Sequence, residues 1–374
     1  MFRTQSTAAL LLIASPLLCF AISIQDAINQ RPELSTLGAI STRFPSVLGD
    51  LTTQGGTLLA PNNDALTQYL NDAGVADIGS ISEPSAREVV SYHSLPLSLR
   101  STDLSKEGGA LVDTKLLSDT FANLAGQPNV VYASAFGSTG QEQAPTDLRI
   151  FSGIGTPANV TQSDVAFDDG FMHVIDRVLN FPQPCTKTAQ VAQLNTLFEA
   201  LQKTNLTTTV DTTPKFTCFA PTDAAFQSAG VDVKALTTTQ VADALKYHSI
   251  VGDVAYSTAV EDGKDYQTLL GVPVTVHKRD GKLFINDVAV ERGNVIMSNG
   301  VAHVLSGVLS PPTTTSPATT GGSSTTKVQS TVTPNSSGTS QASNNNSAVH
   351  LAGSAIFGVL GSLFVAVTSG YLSL

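Results

Sequence analysis

The segment TLLAPNNDAL at residues 57–66 recurs 160 residues later as TCFAPTDAAF at 217–226. In each copy a short apolar run ends at a proline, which cannot donate a hydrogen bond to a strand ladder. The next residue, Asn62 or Thr222, is of a type preferred as a helix N-cap. The segment therefore predicts a strand, a turn and a helix, and it predicts them twice.

Three further segments repeat in the same order, with an offset that shrinks along the chain. They are SYHSL at 91–95 with KYHSI at 246–250, GQP at 126–128 with GVP at 271–273, and DGFMHVIDRVLNFP at 169–182 with NGVAHVLSGVLSPP at 299–312. The period is too long for a solenoid repeat, so each copy is expected to be a domain. We place domain 1 at residues 22–183 and domain 2 at 184–310.

The residue pattern within each copy predicts an α+β fold. In domain 2, two β-rich runs flank Asp280-Gly281, a strong hairpin signal. Domain 1 has a similar pair of runs with a longer connection. Apolar residues have helical spacing in Val191–Thr204 and Thr239–His248. We expect an antiparallel β-wedge with a cluster of helices in each domain.

Together, the Ala-Pro box, the Tyr-His pair and the closing G-x-x-H-V strand resemble the fasciclin domain. The resemblance covers about 290 of the 374 residues. It implies a wedge-shaped α+β fold, found in secreted and membrane-anchored adhesion proteins. It also implies that the Tyr-His pair and the apolar residues beside it make adhesive contacts. In this sequence the two pairs are Tyr92, His93, Tyr247 and His248.

Domain 1 departs from domain 2 at a few places in these motifs. Asn63 stands where domain 2 has Asp223, and Leu66 stands where domain 2 has Phe226. These changes are mild and leave the expected fold intact. The longer hairpin connection of domain 1 is a larger departure, because it can alter a binding surface.

The N-terminal segment, residues 1–21, has the layout of a secretory signal. Arg3 precedes an apolar run, and Ala21 provides a small residue at the expected cleavage point. A buried N-terminal helix is the alternative.

The C-terminal segment, residues 348–374, is uncharged and becomes apolar toward its end. With the small polar residues before it, it resembles a propeptide for glycosylphosphatidylinositol (GPI) attachment. We place the attachment at Asn346, with Asn345 and Ser347 nearly as good; a retained membrane-spanning helix is the alternative. Residues 311–347 are rich in Ser, Thr and Pro, which predicts an O-glycosylated stalk rather than a bare linker.

Composition excludes some partners. The chain carries a formal charge of −10 and has no local cluster of Lys and Arg. A polyanion would be repelled, so nucleic-acid binding and adsorption to anionic lipid through a basic patch are not expected.

No motif for catalysis or metal binding is found. The sequence lacks the G-x-S-x-G elbow, the phosphate-binding glycine loop and the H-E-x-x-H metal motif. Four histidines occupy repeat-equivalent positions, which favours a structural role in hydrogen bonding over metal ligation. For Asp168-Asp169 a turn is favoured over a calcium corner or an acid/base pair. We expect no enzyme activity, no cofactor and no metal.

The secretory prediction determines how the cysteines and the N-glycosylation motifs are interpreted. Cys19 leaves with the signal, so Cys185 and Cys218 remain; an oxidising compartment favours a disulfide between them over two free thiols. Candidate N-glycosylation sites are Asn159, Asn205, Asn335 and Asn345. Asn159 is expected in a loop, because Pro157 lies beside it.

The combined expectation is an adhesion glycoprotein on the extracellular face of the plasma membrane or in the cell wall. Its partners would be extracellular matrix, cell-wall polysaccharide or surface proteins, with the membrane reached through a lipid anchor. Two alternatives remain: a passive structural component of the wall, and a binder of a small apolar ligand.

Overall fold

A computed structural model describes residues 22–311, except 53–54, 76, 136–146, 155–156 and 169. These described residues lie in one compact unit. The predicted signal, stalk and anchor segments lie outside them.

Domain 1 consists of six α-helices and seven strands among the described residues. The helices are α1 (Ile24–Asn29), α2 (Ser35–Arg43), α3 (Pro45–Thr52), α4 (Asn63–Asp72), α5 (Glu83–Tyr92) and α6 (Ser101–Leu104). The strands are β1 (Gly56–Pro61), β2 (Ser94–Leu95), β3 (Ala110–Asp113), β4 (Val130–Ala135), β5 (Leu148–Phe151), β6 (Ala158–Phe167) and β7 (Gly170–Ile175).

Domain 2 repeats this plan with five α-helices and seven strands in the part described. The helices are α7 (Cys185–Val191), α8 (Asn195–Thr204), α9 (Thr207–Thr212), α10 (Asp223–Ser228) and α11 (Thr238–Tyr247). The strands are β8 (Phe216–Pro221), β9 (Ser249–Val251), β10 (Lys264–Gln267), β11 (Pro273–Arg279), β12 (Lys282–Ile285), β13 (Val288–Met297) and β14 (Gly300–Leu305).

The two sheets have the same strand order. In domain 1 it is β2-β1-β7-β6-β5-β4-β3, and in domain 2, from the equivalent edge, it is β9-β8-β14-β13-β12-β11-β10. The α+β wedge with mainly antiparallel pairing is confirmed, and each sheet is mixed because it contains one parallel pair. β1 pairs with β7, and β8 with β14, in parallel. The long stretch of chain between the members of each pair provides the crossover that parallel pairing needs.

The Ala-Pro box folds as expected in both domains. The Asn62 side chain accepts a hydrogen bond from the Ala65 amide at 2.8 Å, and the Thr222 hydroxyl accepts one from the Ala225 amide at 3.0 Å. Each cap satisfies a backbone donor that the first turn of the helix leaves unpaired. The helix therefore begins directly after the strand.

The residue after each cap joins this box to an earlier helix. Asn63 accepts a hydrogen bond from the Thr36 amide at 2.9 Å, in the first turn of α2. Asp223 accepts one from the Thr196 amide at 2.9 Å, in the first turn of α8. The difference between Asn63 and Asp223 thus preserves one function, the capping of a neighbouring helix.

The predicted hairpin of domain 2 is confirmed. Asp280 and Gly281 have φ values of 50° and 72° and connect β11 to β12. Positive φ at both central residues matches the twist of the two strands, which explains the Asp-Gly sequence.

Each sheet has an apolar core on both of its faces. A further apolar cluster joins the two domains. Its buried members are Val130 of domain 1 and Tyr256, Ile296 and Val301 of domain 2.

Candidate functional site

The two Tyr-His pairs lie at the same place in each domain, where a helix ends against the sheet. Tyr92 and Tyr247 are the last residues of α5 and α11, and His93 and His248 are the C-caps. All four side chains are buried, with at most 5% of any residue exposed. These side chains therefore do not lie on the surface of the described domains.

Hydrogen bonds explain why the histidines are buried. The Nε2 atom of His93 accepts from the Leu179 amide at 2.8 Å, so the proton is on Nδ1, which donates to the Val89 carbonyl at 2.7 Å. His93 thereby connects α5 to the segment that follows β7. As expected from the sequence, its role is structural.

His248 repeats this arrangement in domain 2. Its Nε2 accepts from the Leu309 amide at 3.0 Å, and its Nδ1 donates to the Ala244 carbonyl at 2.8 Å. Burial lowers the pKa of both His93 and His248 to about 4. Both rings are therefore neutral at physiological pH and retain the acceptor that the backbone amide requires.

The second pair of repeat-equivalent histidines also makes matched contacts. His173 Nε2 donates to the Leu99 carbonyl at 3.0 Å, and His303 Nε2 donates to the Ala255 carbonyl at 2.8 Å. Burial lowers the pKa of both histidines. The structural role predicted for these histidines is confirmed as well.

The tyrosine hydroxyls fix the strand opposite them. Tyr92 donates to the Val130 carbonyl at 3.3 Å, and Tyr247 donates to the Pro273 carbonyl at 3.5 Å. The Tyr92 ring also stacks on Phe181, with 5.8 Å between ring centroids. Each tyrosine thus positions the first residue of β4 or β11.

Exposed apolar side chains lie beside these buried pairs. Leu97 is 60% exposed and lies two residues after β2, and Val251 is 41% exposed at the end of β9. Leu269 is 42% exposed, and its amide donates to the Ser249 carbonyl at 2.7 Å, next to β9. The sequence does contain a signal for Leu97 and Val251: apolar residues within four positions of both Tyr-His pairs, where polar loops are expected.

The contact between the domains is partly polar. Asn129 is fully buried, and its side-chain amide donates to the Met297 carbonyl of domain 2 at 3.2 Å. Asn123 donates to the Thr212 carbonyl at 2.9 Å. These bonds flank the apolar cluster around Val130, so the two domains are joined by both packing and hydrogen bonds.

The fasciclin domain profile matches residues 32–182 and 192–311, which is more than half of the chain. The chain belongs to the fasciclin-domain family.

Two curated relatives are fungal proteins. The chain is 30% identical over 302 residues to a fasciclin-like arabinogalactan protein of Arthroderma benhamiae, covering 79% of this chain and 68% of that protein. It is 29% identical over 297 residues to a fasciclin-like arabinogalactan protein of Phaeosphaeria nodorum, covering 79% of this chain and 90% of that protein.

A solved structure also aligns with the chain. It is a FAS1 domain pair from the insect cell adhesion molecule Fasciclin I, with a TM-score of 0.35 and 21% identity. The alignment covers 74% of this chain and 96% of that one.

The two cysteines of the second fasciclin domain are neighbours. Cys185 begins α7, Cys218 lies in β8, and both are buried. The structure contains two thiols in hydrogen-bond contact, where the sequence favours a disulfide. This hydrogen bond, together with burial, raises the pKa of Cys185. The two side chains lie close enough to interact, and the disulfide between them stays a prediction.

The described sequons lie in different settings. Asn205 is exposed at the C-cap of α8, with φ of 55°. Asn159, which the sequence places in a loop, lies instead in β6, where its side chain donates to Asp176 at 2.7 Å. Asn335, Asn345 and the attachment residue Asn346 lie outside the described residues, and all of these sites stay predictions.

Asp168 lies in the turn between β6 and β7, in agreement with the turn interpretation. No group of three or more His, Cys, Asp or Glu side chains in the described part of the fasciclin pair is arranged to hold a metal ion. Among the same residues, no helix combines the length and hydropathy needed to cross a bilayer.

Proposed function

We propose that this fasciclin protein is a non-catalytic adhesion glycoprotein of the cell surface. The observation that carries the proposal is the position of Leu97, Val251 and Leu269, exposed beside the buried Tyr-His pairs of both domains. The buried pairs hold the chain in place, and the neighbouring apolar side chains make the contacts with a partner.

This arrangement suits weak contacts that act together. Burying one leucine side chain contributes on the order of 2 kcal/mol before the costs of association, which is too little for stable binding by one domain. Two linked domains raise the effective concentration of the second contact once the first has formed. Many copies on one surface extend the same effect.

We propose that a GPI anchor at or next to Asn346 attaches the protein to the extracellular face of the plasma membrane, on a glycosylated stalk. The export signal, the Ser/Thr/Pro-rich tract and the uncharged apolar end support this arrangement. The arabinogalactan name of the fungal relatives supports a glycosylated surface protein. Matrix, wall polysaccharide and surface proteins are the proposed partners.

A passive role in the wall is the competing proposal, and deletion of the gene separates the two. If the protein mediates adhesion, cells without it detach from a surface or from other cells at lower shear, while their resistance to wall-degrading enzymes is unchanged. Loss of wall resistance with normal attachment would instead support the passive role.

The alternative of a small apolar ligand has less support. The apolar pocket lined by Leu37, Phe44 and Val90 has no room for a water molecule. A roomier cleft of about 530 Å³ is lined mostly by polar and charged side chains, including Glu199 and Lys203. A ligand of this kind would raise the melting temperature of residues 22–311, which provides a direct check.

A further inference from the structure

The apolar contact between the domains joins two different surfaces. The surface on domain 1, which we term the tail, consists of Leu111, Val130 and Tyr132. The surface on domain 2, which we term the head, consists of Val254, Tyr256, Ile296 and Val301. Because the domains are repeats, each also has the other surface: domain 2 has a free tail and domain 1 has a free head.

Matched hydrogen bonds locate the free tail of domain 2. Tyr92 donates to the Val130 carbonyl in domain 1, and Tyr247 donates to the Pro273 carbonyl in domain 2. Pro273 is therefore the counterpart of Val130.

Strand register supplies the other tail positions. In domain 1, Leu111 of β3 pairs with Tyr132 of β4. In domain 2, the corresponding partners are Asp265 of β10 and Thr275 of β11. Two apolar tail positions of domain 1 are thus polar in domain 2.

Register and side-chain bonds also locate the free head of domain 1. Ile296 pairs with Val301 between β13 and β14, as Ala166 pairs with Phe171 between β6 and β7. The segment before α6 aligns with the segment around Ala255, because His173 donates to the Leu99 carbonyl and His303 donates to the Ala255 carbonyl. Leu99 is therefore the counterpart of Ala255. The four head residues of domain 2 therefore have these counterparts in domain 1, in the same order: Ser98, Arg100, Ala166 and Phe171.

The free ends have their own internal partners. The Arg100 guanidinium lies 4.4 Å from the centre of the Phe171 ring and covers it. The Thr275 hydroxyl donates to the Asp265 carboxylate at 2.6 Å. Both charged residues are exposed to solvent.

We propose that these residues cap the pair at both ends. The head-to-tail contact joins domain 1 to domain 2 within one chain, and the free head and free tail do not bind each other between copies. The chain therefore forms a closed two-domain unit, and its copies do not polymerise through the contact that holds the unit together.

The opposite charges of Arg100 and Asp265 do not overturn this proposal. Pairing them across two copies would remove both from water, at a desolvation cost that can exceed the Coulombic gain. It would also compete with the contacts that each makes with Phe171 or Thr275. By contrast, an uncapped heterologous contact would repeat from copy to copy and produce open chains.

The test restores the apolar contact at one end at a time, in residues 22–311. A tail variant carries Asp265→Leu and Thr275→Tyr, and a head variant carries Arg100→Tyr and Ala166→Ile. Sedimentation velocity is measured on the wild type, on each variant and on an equal mixture of the two. We expect a monomeric wild type, and a mixture that associates at least about tenfold more tightly than the wild type.

A control variant, Lys234→Leu, adds an apolar residue at an exposed site that faces Glu199 of α8 rather than either end, and should leave the head variant unbound. Near-ultraviolet circular dichroism verifies that each variant is folded. Two results would overturn the proposal: a wild type that self-associates and becomes monomeric on Arg100→Asp, or folded head and tail variants that do not bind each other. If a variant fails to fold, the association state of the wild type and its response to Arg100→Asp still test the proposal.

Discussion

The hydroxyl of Tyr92 donates a hydrogen bond to the carbonyl oxygen of Val130 at 3.3 Å, and the Val130 side chain packs into the cluster that joins the two domains. The buried tyrosine of the first Tyr-His pair is therefore coupled to the contact between the domains. Tyr247 makes the equivalent bond to Pro273, which is exposed and has no second domain packed on it.

This asymmetry predicts different effects for two matched substitutions. Tyr92→Phe removes the hydroxyl bond to Val130, and Tyr247→Phe removes the bond to Pro273 and the one accepted from Asn286, so each should lower the free energy of unfolding by about 1–2 kcal/mol. Only Tyr92→Phe should also increase hydrogen exchange at the amides of Ile296 and Val301 across the contact. Hydrogen exchange with mass spectrometry measures both the free energy of unfolding and the local exchange at these amides. Equal exchange in the two variants would show that Tyr92 is not coupled to domain 2.

Buried histidines make stability depend on pH. The pKa of His93 and of His248 is about 4 in the folded protein and about 6.5 in the unfolded chain, so the unfolded chain binds more protons between these values. Stability is complete above about pH 6.5 and falls as the pH drops toward 4, by up to about 1.4 kcal/mol per pH unit for each histidine.

Urea unfolding at a series of pH values measures this slope. His248→Leu should reduce the slope, and should also lower stability at neutral pH by about 1–3 kcal/mol because the Leu309 amide loses its acceptor. A slope unaffected by His248→Leu would contradict the assignment.

The bond from the Thr196 amide to Asp223 predicts a cost for removing the cap. Asp223→Ala should lower the free energy of unfolding by about 1–2 kcal/mol, and Asn63→Ala should do the same in domain 1. Hydrogen bonds from the start of α8 lower the pKa of Asp223, although partial burial opposes them. The contribution of Asp223 is therefore lost as the pH falls through its lowered pKa, whereas that of Asn63 is independent of pH. Thermal unfolding at two pH values distinguishes them.

The contact between Cys185 and Cys218 predicts a disulfide in the secreted protein. The bond would close a loop of about thirty residues and add about 3 kcal/mol. Intact mass after alkylation without prior reduction should show no labelled cysteine, and reduction should expose two. Two labelled thiols in the unreduced, denatured protein would show that the pair stays reduced.

Much of the fold follows from short sequence patterns. The N-caps Asn62 and Thr222 and the turn at Asp280-Gly281 determine local structure through their own side chains or backbone, so they are predictable from the sequence. The direction of β7 and β14 is not, because alternating apolar residues look alike in parallel and antiparallel strands. The strand position of Asn159 was also missed, since Pro157 indicates a loop.

The site was predictable only in part. Repetition of the Tyr-His pairs marks their importance, but burial of Tyr92 and Tyr247 depends on the strands that cover them. The head and tail surfaces require the register of β3 with β4 and of β10 with β11, which is set by the folded chain. Leu269 has no sequence pattern of its own, because apolar residues in loops are common on protein surfaces.

Attachment of cells that express surface-exposed variants tests the adhesive role most directly. The test variant replaces Leu97, Val251 and Leu269 with serine, and the control replaces Val191, which is 49% exposed on α7, with serine. With equal amounts of protein on the surface, we expect the triple variant to lose most of the attachment strength under shear and Val191→Ser to retain it. Full attachment by the triple variant, or equal loss in both, would contradict the adhesive role of these three side chains.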